Sequence, residues 1–403
     1  MTAYHPLTEA EAVDIARSLD NLFSPGTELT CNEIGDGNLN LVFHVTEPAT
    51  GKSVILKQAL PYAKVVGESW PLSLDRARIE SEALIVQGRL APGLVPEVYL
   101  YNPDLALTVM EDLSDHTIMR KGLIERIVYP RFADDISTFL ANTLFFTSDL
   151  GMNQQEKKLQ LKSFINPDLC KITEDLIFCD PYRDADTNSF EESIRDEAEA
   201  LWSDGALHLE VALLREKFLT STEALLHGDL HTGSIFARPD STKVIDPEFA
   251  YYGPMGFDIG AVIANLLLSF AAQEHWSGDE AARKEYRTFL TGAVQGVWSG
   301  FESKFRALWN EHGSDPMLQR APGFQDLYMK RLLQDTAGFA GAKMVRRIVG
   351  LAHVADIDTI PDAAVRERTQ RLALAIGKTL IKRGRQTESI EQIVDIAVSE
   401  TAQ

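Results

Sequence analysis

Cysteine is scarce in this chain: there are three in 403 residues, Cys31, Cys170 and Cys179, at no spacing that suits a metal. So few, and an odd number, exclude a disulfide framework and fit reduced thiols in a cytoplasmic protein. Positive charge is also short, with 39 Lys and Arg against 59 Asp and Glu, a formal net charge of −20. A nucleic-acid backbone needs Lys and Arg to displace its counterions, and an anionic membrane surface would repel such a chain. Neither nucleic acid nor membrane is therefore expected as a partner. Long apolar runs are missing too. The longest, near Ile259 to Phe270, is interrupted by Gly260 and Asn265 and is shorter than the roughly 20 residues a bilayer span needs. No basic stretch leads into an apolar one near the start, so no signal peptide is expected. Internal repeats and low-complexity linkers are absent.

What is present is ordinary for a soluble globular protein: 45% hydrophobic and 24% charged residues,. The length is too great for one ordinary core and suits two lobes. Thr8-Glu9-Ala10-Glu11 has capping-box form and precedes apolar residues at helical spacing, so a helix is predicted to end before Pro25,. β-formers follow at 41–45 and 53–57, with a turn at Thr50-Gly51 between them. The segment 74–90 has helical periodicity, and strands are predicted at 95–101 and 105–110. Beyond Glu111 to Ser114 helical patterns dominate, broken at Asn166-Pro167, at 180–188, around 313–322 and at Pro361. The reading is an α+β chain with two lobes. Residues 1–113 form a β-rich N-lobe with an antiparallel sheet, and residues 114–403 form a mostly helical C-lobe.

Several residue groups can carry chemistry. Gly35-Asp36-Gly37 lies between two strands, where glycine lets a backbone approach a phosphate, although a plain hairpin turn has the same composition,. Asn40, on the returning strand, could reach back over that loop. Lys57 ends an apolar strand, and a lysine there is costly unless it is paired or holds an anion. Glu80 and Glu82 on the next helix are the candidate partners; two residues apart they leave the helix on different faces, and Glu80 is taken as the inward one that pairs with Lys57. Met110 to Leu113 connects the lobes, a place where a purine can pair with backbone groups. Asp229, within His227-Gly228-Asp229-Leu230-His231, lies in a loop before a strand and can accept a hydroxyl proton,. Asp246 and Glu248, two apart in an extended segment, face the same side and suit Mg²⁺. A rival arrangement is Zn²⁺ on His227, Asp229 and His231, which would make a zinc-dependent hydrolase. Of Arg346 and Arg347, about 100° apart on a helix, at most one is expected to face a pocket.

Taken in order, these parts resemble a protein-kinase-like small-molecule kinase: glycine loop, strand lysine, helix glutamate, connector, loop aspartate, metal aspartate. His227-Gly228-Asp229-Leu230-His231 is similar to the core of the aminoglycoside and choline kinase group. In that group an asparagine usually stands five residues after the aspartate, and here the position is Ser234. His227 to Phe236, Asp246-Pro247-Glu248-Phe249-Ala250, Gly253 to Gly260 and Arg346-Arg347 together resemble the 5-methylthioribose kinase family. This resemblance implies ATP and Mg²⁺, phosphorylation of the sugar 1-hydroxyl in methionine salvage, and a homodimer. It also implies site roles. Asn40 and Lys57 would contact nucleotide phosphates, and Glu111, Asp112 and Leu113 would hold the adenine. Asp229 would bind and activate the acceptor. Asp246, Pro247 and Glu248 would lie against the nucleotide, with Asp246 and Glu248 on the metal, and Arg346 would contact the sugar. Ser234 departs from that pattern at the position of a second metal ligand. The alternatives are another small hydroxylated acceptor, namely choline, homoserine or an aminoglycoside, and a nucleotide-binding protein without turnover.

Overall fold

A computed structural model describes residues 4–19, 22–35, 40–63 and 67–401. Helix α1 (Glu9–Arg17) starts at a capping box in which Thr8 and Glu11 satisfy each other's backbone N–H groups. Ala12 and Ala16 on its inner face pack against the N-lobe sheet. That sheet contains β1 (Thr30–Glu33), β2 (Asn40–Thr46) and β3 (Ser53–Ala59), followed in the chain by α2 (Asp75–Leu90), β4 (Val98–Asn102) and β5 (Leu107–Glu111). Its order is β1-β2-β3-β5-β4, and every neighbouring pair is antiparallel.

Strand alternation decides where the N-lobe chemistry goes. Val54, Leu56 and Gln58 of β3 are buried towards α1, and the opposite register of Ser53, Ile55 and Lys57 faces the interlobe side,. In α2 the buried set includes Arg76, Ile79, Glu80, Ala83, Leu84 and Gln87. This places Glu80 inward, while Glu82 stays outside and pairs with Arg78 at 3.0 Å. A short ribbon, Tyr62–Ala63 with Gly67–Pro71, precedes α2 and was not anticipated. Helix α2 also ties the lobes together. Leu84 enters the large C-lobe core, while Ile79 and Ala83 pack with Phe164, Leu225 and Tyr252.

The C-lobe carries a small sheet of β6 (Thr117–Ile118), β7 (Ile235–Arg238) and β8 (Ser241–Val244), in the order β8-β7-β6. Around it lie α3 (Phe132–Phe146), α4 (Met255–Trp276), α5 (Glu280–His312), α6 (Phe324–Val349) and α7 (Ala363–Arg383). The apolar run expected to be too short for a bilayer sits inside α4. At 22 residues, α4 is long and apolar enough to cross one, but its most apolar stretch is wholly buried in the protein. It is the core helix, with α5, α6 and α7 packed on it. Gly260 lets α6 come close: a Cβ there would lie 2.8 Å from the Thr336 carbonyl oxygen. That approach sets the position of the C-terminal half of α6.

Candidate active site

The N-lobe half of the site is built on Lys57. Its ammonium donates to Glu80 at 2.8 Å and to Asp246 across the cleft. Glu80, Asp246 and Glu248 each bring a carboxylate oxygen within 4.8 Å of the others. Asn40 Nδ2 lies 3.4 Å from Glu248 Oε2, and Arg76 Nε lies 3.8 Å from the same oxygen. Burial alone would lower the Lys57 pKa, but the charges of Asp246, Glu80 and Glu248 outweigh it and raise it far above the lysine range. The carboxylates outnumber the ammonium. Burial first, then the neighbouring acid charges, accordingly push Glu80 and Glu248 above the ordinary carboxylate range. Asp246 has a left-handed backbone, φ +67°, just after β8. Aspartate tolerates that conformation better than most residues, and its side chain is 38% exposed to the cleft.

The connector is held through its side chains. Glu111 accepts two hydrogen bonds from Lys243 of β8, at 2.9 and 2.8 Å. Asp112 accepts from His44 at 2.9 Å and from Ser53 at 2.6 Å, and its other oxygen takes the Ser114 N–H at 3.0 Å. Burial opposes ionisation of Asp112, but the bonds from Ser114, Ser53 and His44 hold its pKa below the usual value. Leu113 is buried. With both acids committed to the protein, backbone groups are what this connector can offer a purine.

The C-lobe half is centred on Asp229. The preceding loop is clamped by Asp258, in the first turn of α4, whose two oxygens accept the N–H groups of His227 at 2.6 Å and Gly228 at 3.1 Å. His227 Nε2 meets the Ile245 carbonyl at 2.8 Å, which ties this loop to the residue before Asp246. Gly228 has φ +87°, and a Cβ there would lie 2.1 Å from the Phe249 carbonyl oxygen. Gly228→Ala is therefore expected to displace the loop, with a lower melting temperature and loss of turnover. A crystal structure of the variant with an unmoved Asp229 would contradict this.

Asp229 itself faces cations. Lys343 Nζ is 2.9 Å from Oδ1, an Arg347 nitrogen is 3.9 Å from the same oxygen, and His231 Nε2 is 3.5 Å from Oδ2. Burial would raise the Asp229 pKa, but Lys343, His231, Arg347 and Arg346 hold it well below the carboxylate range. His231 is kept well below its usual value by burial and by Arg120, Arg347 and Lys343. Arg346 and Arg347 both donate to the Ala352 carbonyl, at 3.3 and 3.2 Å.

The sequence-based expectations meet this geometry unevenly. The structure brings Lys57, Glu80, Asp246, Glu248 and Asn40 together, with buried Pro247 between the last two acids. Gly35 is an exposed turn residue, while Asp36 and Gly37 of the expected phosphate loop lie outside the described residues. Of Arg346 and Arg347, the one that comes near Asp229 is Arg347, at 3.9 Å, and not Arg346, which was expected at the sugar and acts on Asp229 only through its charge. Arg347 follows Lys343 by four positions and so shares its helix face. Lys343 and Asp258 are not among the residues that the sequence marks as candidates. The Zn²⁺ arrangement is not assembled, because both nitrogens of His227 are engaged, Nε2 by the Ile245 carbonyl and Nδ1 by the Asp229 N–H at 3.3 Å. Among the described residues the acid group that could hold a metal is Glu80, Asp246 and Glu248. Ser234 is buried, 3.4 Å from the Asp229 carbonyl oxygen, and so is used inside the loop.

A family model described as "Phosphotransferase enzyme family" matches residues 30–296. A methylthioribose kinase of Geobacillus sp. (strain WCH70) is 50% identical over 392 residues, covering 97% of this chain and 95% of that protein. One of Geobacillus thermodenitrificans (strain NG80-2) is 52% identical over 380 residues, covering 94% and 93%. Among solved structures, a choline kinase from Cryptosporidium parvum Iowa II is 10% identical with a TM-score of 0.46, covering 98% of this chain and 95% of that one.

Proposed function

The chain belongs to the methylthioribose kinases, within the phosphotransferase enzyme family, and from that premise we propose that it transfers the γ-phosphoryl group of ATP to the 1-hydroxyl of 5-methylthioribose. The observation that carries the proposal is the pairing of two unlike half-sites. One is a lysine among three carboxylates, and the other an aspartate among cations. The bond between His227 and the Ile245 carbonyl links the loops that carry them.

The first half-site suits the nucleotide. Glu80 holds the Lys57 ammonium where it can meet phosphate oxygens. Asp246 and Glu248 would hold Mg²⁺, since hard oxygen donors suit it and a cation would favour the ionised form of Glu248, which burial and then the Asp246 charge disfavour,. When bound, Mg²⁺ supplies charge neutralisation on the triphosphate. The second half-site suits the acceptor. The hydroxyl oxygen forms a bond to the γ-phosphorus as the bond to the β–γ bridging oxygen breaks, and ADP leaves. The hydroxyl proton passes to the Asp229 carboxylate. That carboxylate is weakly basic, so it mainly orients the hydroxyl and takes the proton late, as its acidity rises in the transition state.

The cations around Asp229 weigh against choline and aminoglycosides, whose own positive charge they would repel at short range. Side-by-side ATP consumption with methylthioribose, choline, homoserine and an aminoglycoside tests the acceptor. Methylthioribose alone is expected to stimulate turnover. Stimulation by choline and none by methylthioribose would overturn the acceptor while leaving a kinase. Methionine salvage, in which such a product is recycled, belongs to the same reading. So does a cytoplasmic homodimer. The three unpaired thiols support a reducing compartment, and sedimentation of the purified protein tests the dimer.

A further inference from the structure

The two oxygens of Asp229 have unlike surroundings. Oδ1 takes the Lys343 ammonium at 2.9 Å and has the Arg347 guanidinium at 3.9 Å. Oδ2 has His231 at 3.5 Å, the outer limit for a hydrogen bond,. Lys343 is 3% exposed, and its ammonium sits 4.4 Å from the centre of the Phe257 ring. A buried ammonium is costly unless it is paired, and the hydrogen bond it makes goes to Asp229. Phe257 and Asp258 are consecutive on α4. One turn of that helix therefore supports both the lysine that touches the Asp229 carboxylate and the loop backbone before it.

We propose that Lys343 is a positioning residue for phosphoryl transfer: by holding Asp229 Oδ1 it presents Oδ2 to the acceptor hydroxyl. The inference rests on the kinase reading above and deepens it. The phenyl ring beneath the ammonium fixes its height, and the helix spacing sets Arg347 behind it as a longer-range charge. Without the lysine, the carboxylate can turn about its last torsion and pair with Arg347, which takes the accepting oxygen out of register. Misplacing a reacting group by about 1 Å can cost roughly 10²-fold in rate. The charged groups that bear on Asp229 are Lys343 and Arg347, in contact from α6, and Arg346 at longer range; His231, from its own loop, faces Oδ2 as a titratable group held neutral by burial. Arg120, on the short helix Met119–Ile124, faces His231 and the arginine pair, and its own charge is met by Asp356 at 3.3 Å.

The test uses the full chain and begins with methylthioribose-dependent ATP turnover by the unchanged protein; its absence would overturn the kinase reading, and this inference with it. Given that turnover, Lys343→Met is expected to lower kcat roughly 10²-fold with the KM for ATP unchanged. It is also expected to move the acid limb of the kcat profile to higher pH, because Asp229 loses a neighbouring cation and protonates more readily. Lys343→Arg should restore the limb and part of kcat. Unchanged kcat in Lys343→Met, or a loss of kcat with an unmoved acid limb, would overturn the positioning role while the kinase reading stands. If thermal melting shows the methionine variant unfolded, Lys343→Gln replaces it. A limb raised for glutamine but not for arginine supports the proposal, and equal limbs overturn it.

Discussion

Asp229→Asn is expected to lower kcat by roughly 10²-fold or more, the scale for losing a general base, while ATP affinity stays intact. The two parts of this expectation have separate causes. Asparagine keeps the shape and one acceptor oxygen, so the hydroxyl can still be approached, but the amide cannot take its proton. The nucleotide half-site is set by β3, α2 and the segment after β8, through the Lys57 bonds to Glu80 and Asp246, none of which involves Asp229. The wild-type rate should also hold its plateau well into the acid range, since the carboxyl is kept ionised far below its ordinary value. A group with a depressed folded pKa gives up its contribution only as pH falls through that low value. Steady-state kinetics with nucleotide-binding titration checks both halves. Near-normal turnover in the variant would remove Asp229 from the chemistry.

Lys57→Met is expected to be of similar or larger effect, roughly 10² to 10³-fold in kcat, the range for losing one preorganised charge-stabilising donor. Unlike the first variant, it should also raise the KM for ATP. It leaves Glu80, Asp246 and Glu248 facing one another without their shared cation. The apo protein should consequently lose stability, and breaking a buried pair typically costs about 3–5 kcal/mol. Glu80→Gln makes the informative comparison. Lys57 keeps its contact with Asp246 in that variant, so the loss in kcat should be smaller than for Lys57→Met. Equal losses would mean that Glu80, not the ammonium, dominates the half-site.

Local order was the more legible part of the sequence. The capping box at Thr8, the strands around Val45 and Leu56 and the helix from Asp75 follow from spacing and cap chemistry, which act between near neighbours. Although the chain there is not extended as expected, with Asp246 at φ +67° and Glu248 in a turn, these two acids were legible as a pair. The choice between Glu80 and Glu82 was not, since it depends on which face of α2 meets β3 and on Arg78 taking Glu82 to the outside.

Long-range partners were hidden for a physical reason: the chain does not write down which helix faces touch. Lys343 lies 114 residues from Asp229. A signal was nonetheless available. Gly341, Ala342, Met344 and Val345 around it are small or apolar and buried, and a cation within such a stretch needs a partner. Asp258 carried a similar signal, an acid between Phe257 and Ile259 at the start of a core helix. Only the packing of α6 on α4, which Gly260 permits, brings these residues to one loop.

The expected reaction passes the γ-phosphoryl group of ATP from one half-site to one hydroxyl of a thio-sugar at the other. Phosphorus-to-proton correlated NMR of the product formed from ATP and 5-methylthioribose tests it most directly. The expected result is one phosphate ester, coupled to the proton on the sugar C1 and formed in equal amount with ADP. A phosphate on another carbon, or ADP formed only with inorganic phosphate, would contradict the account.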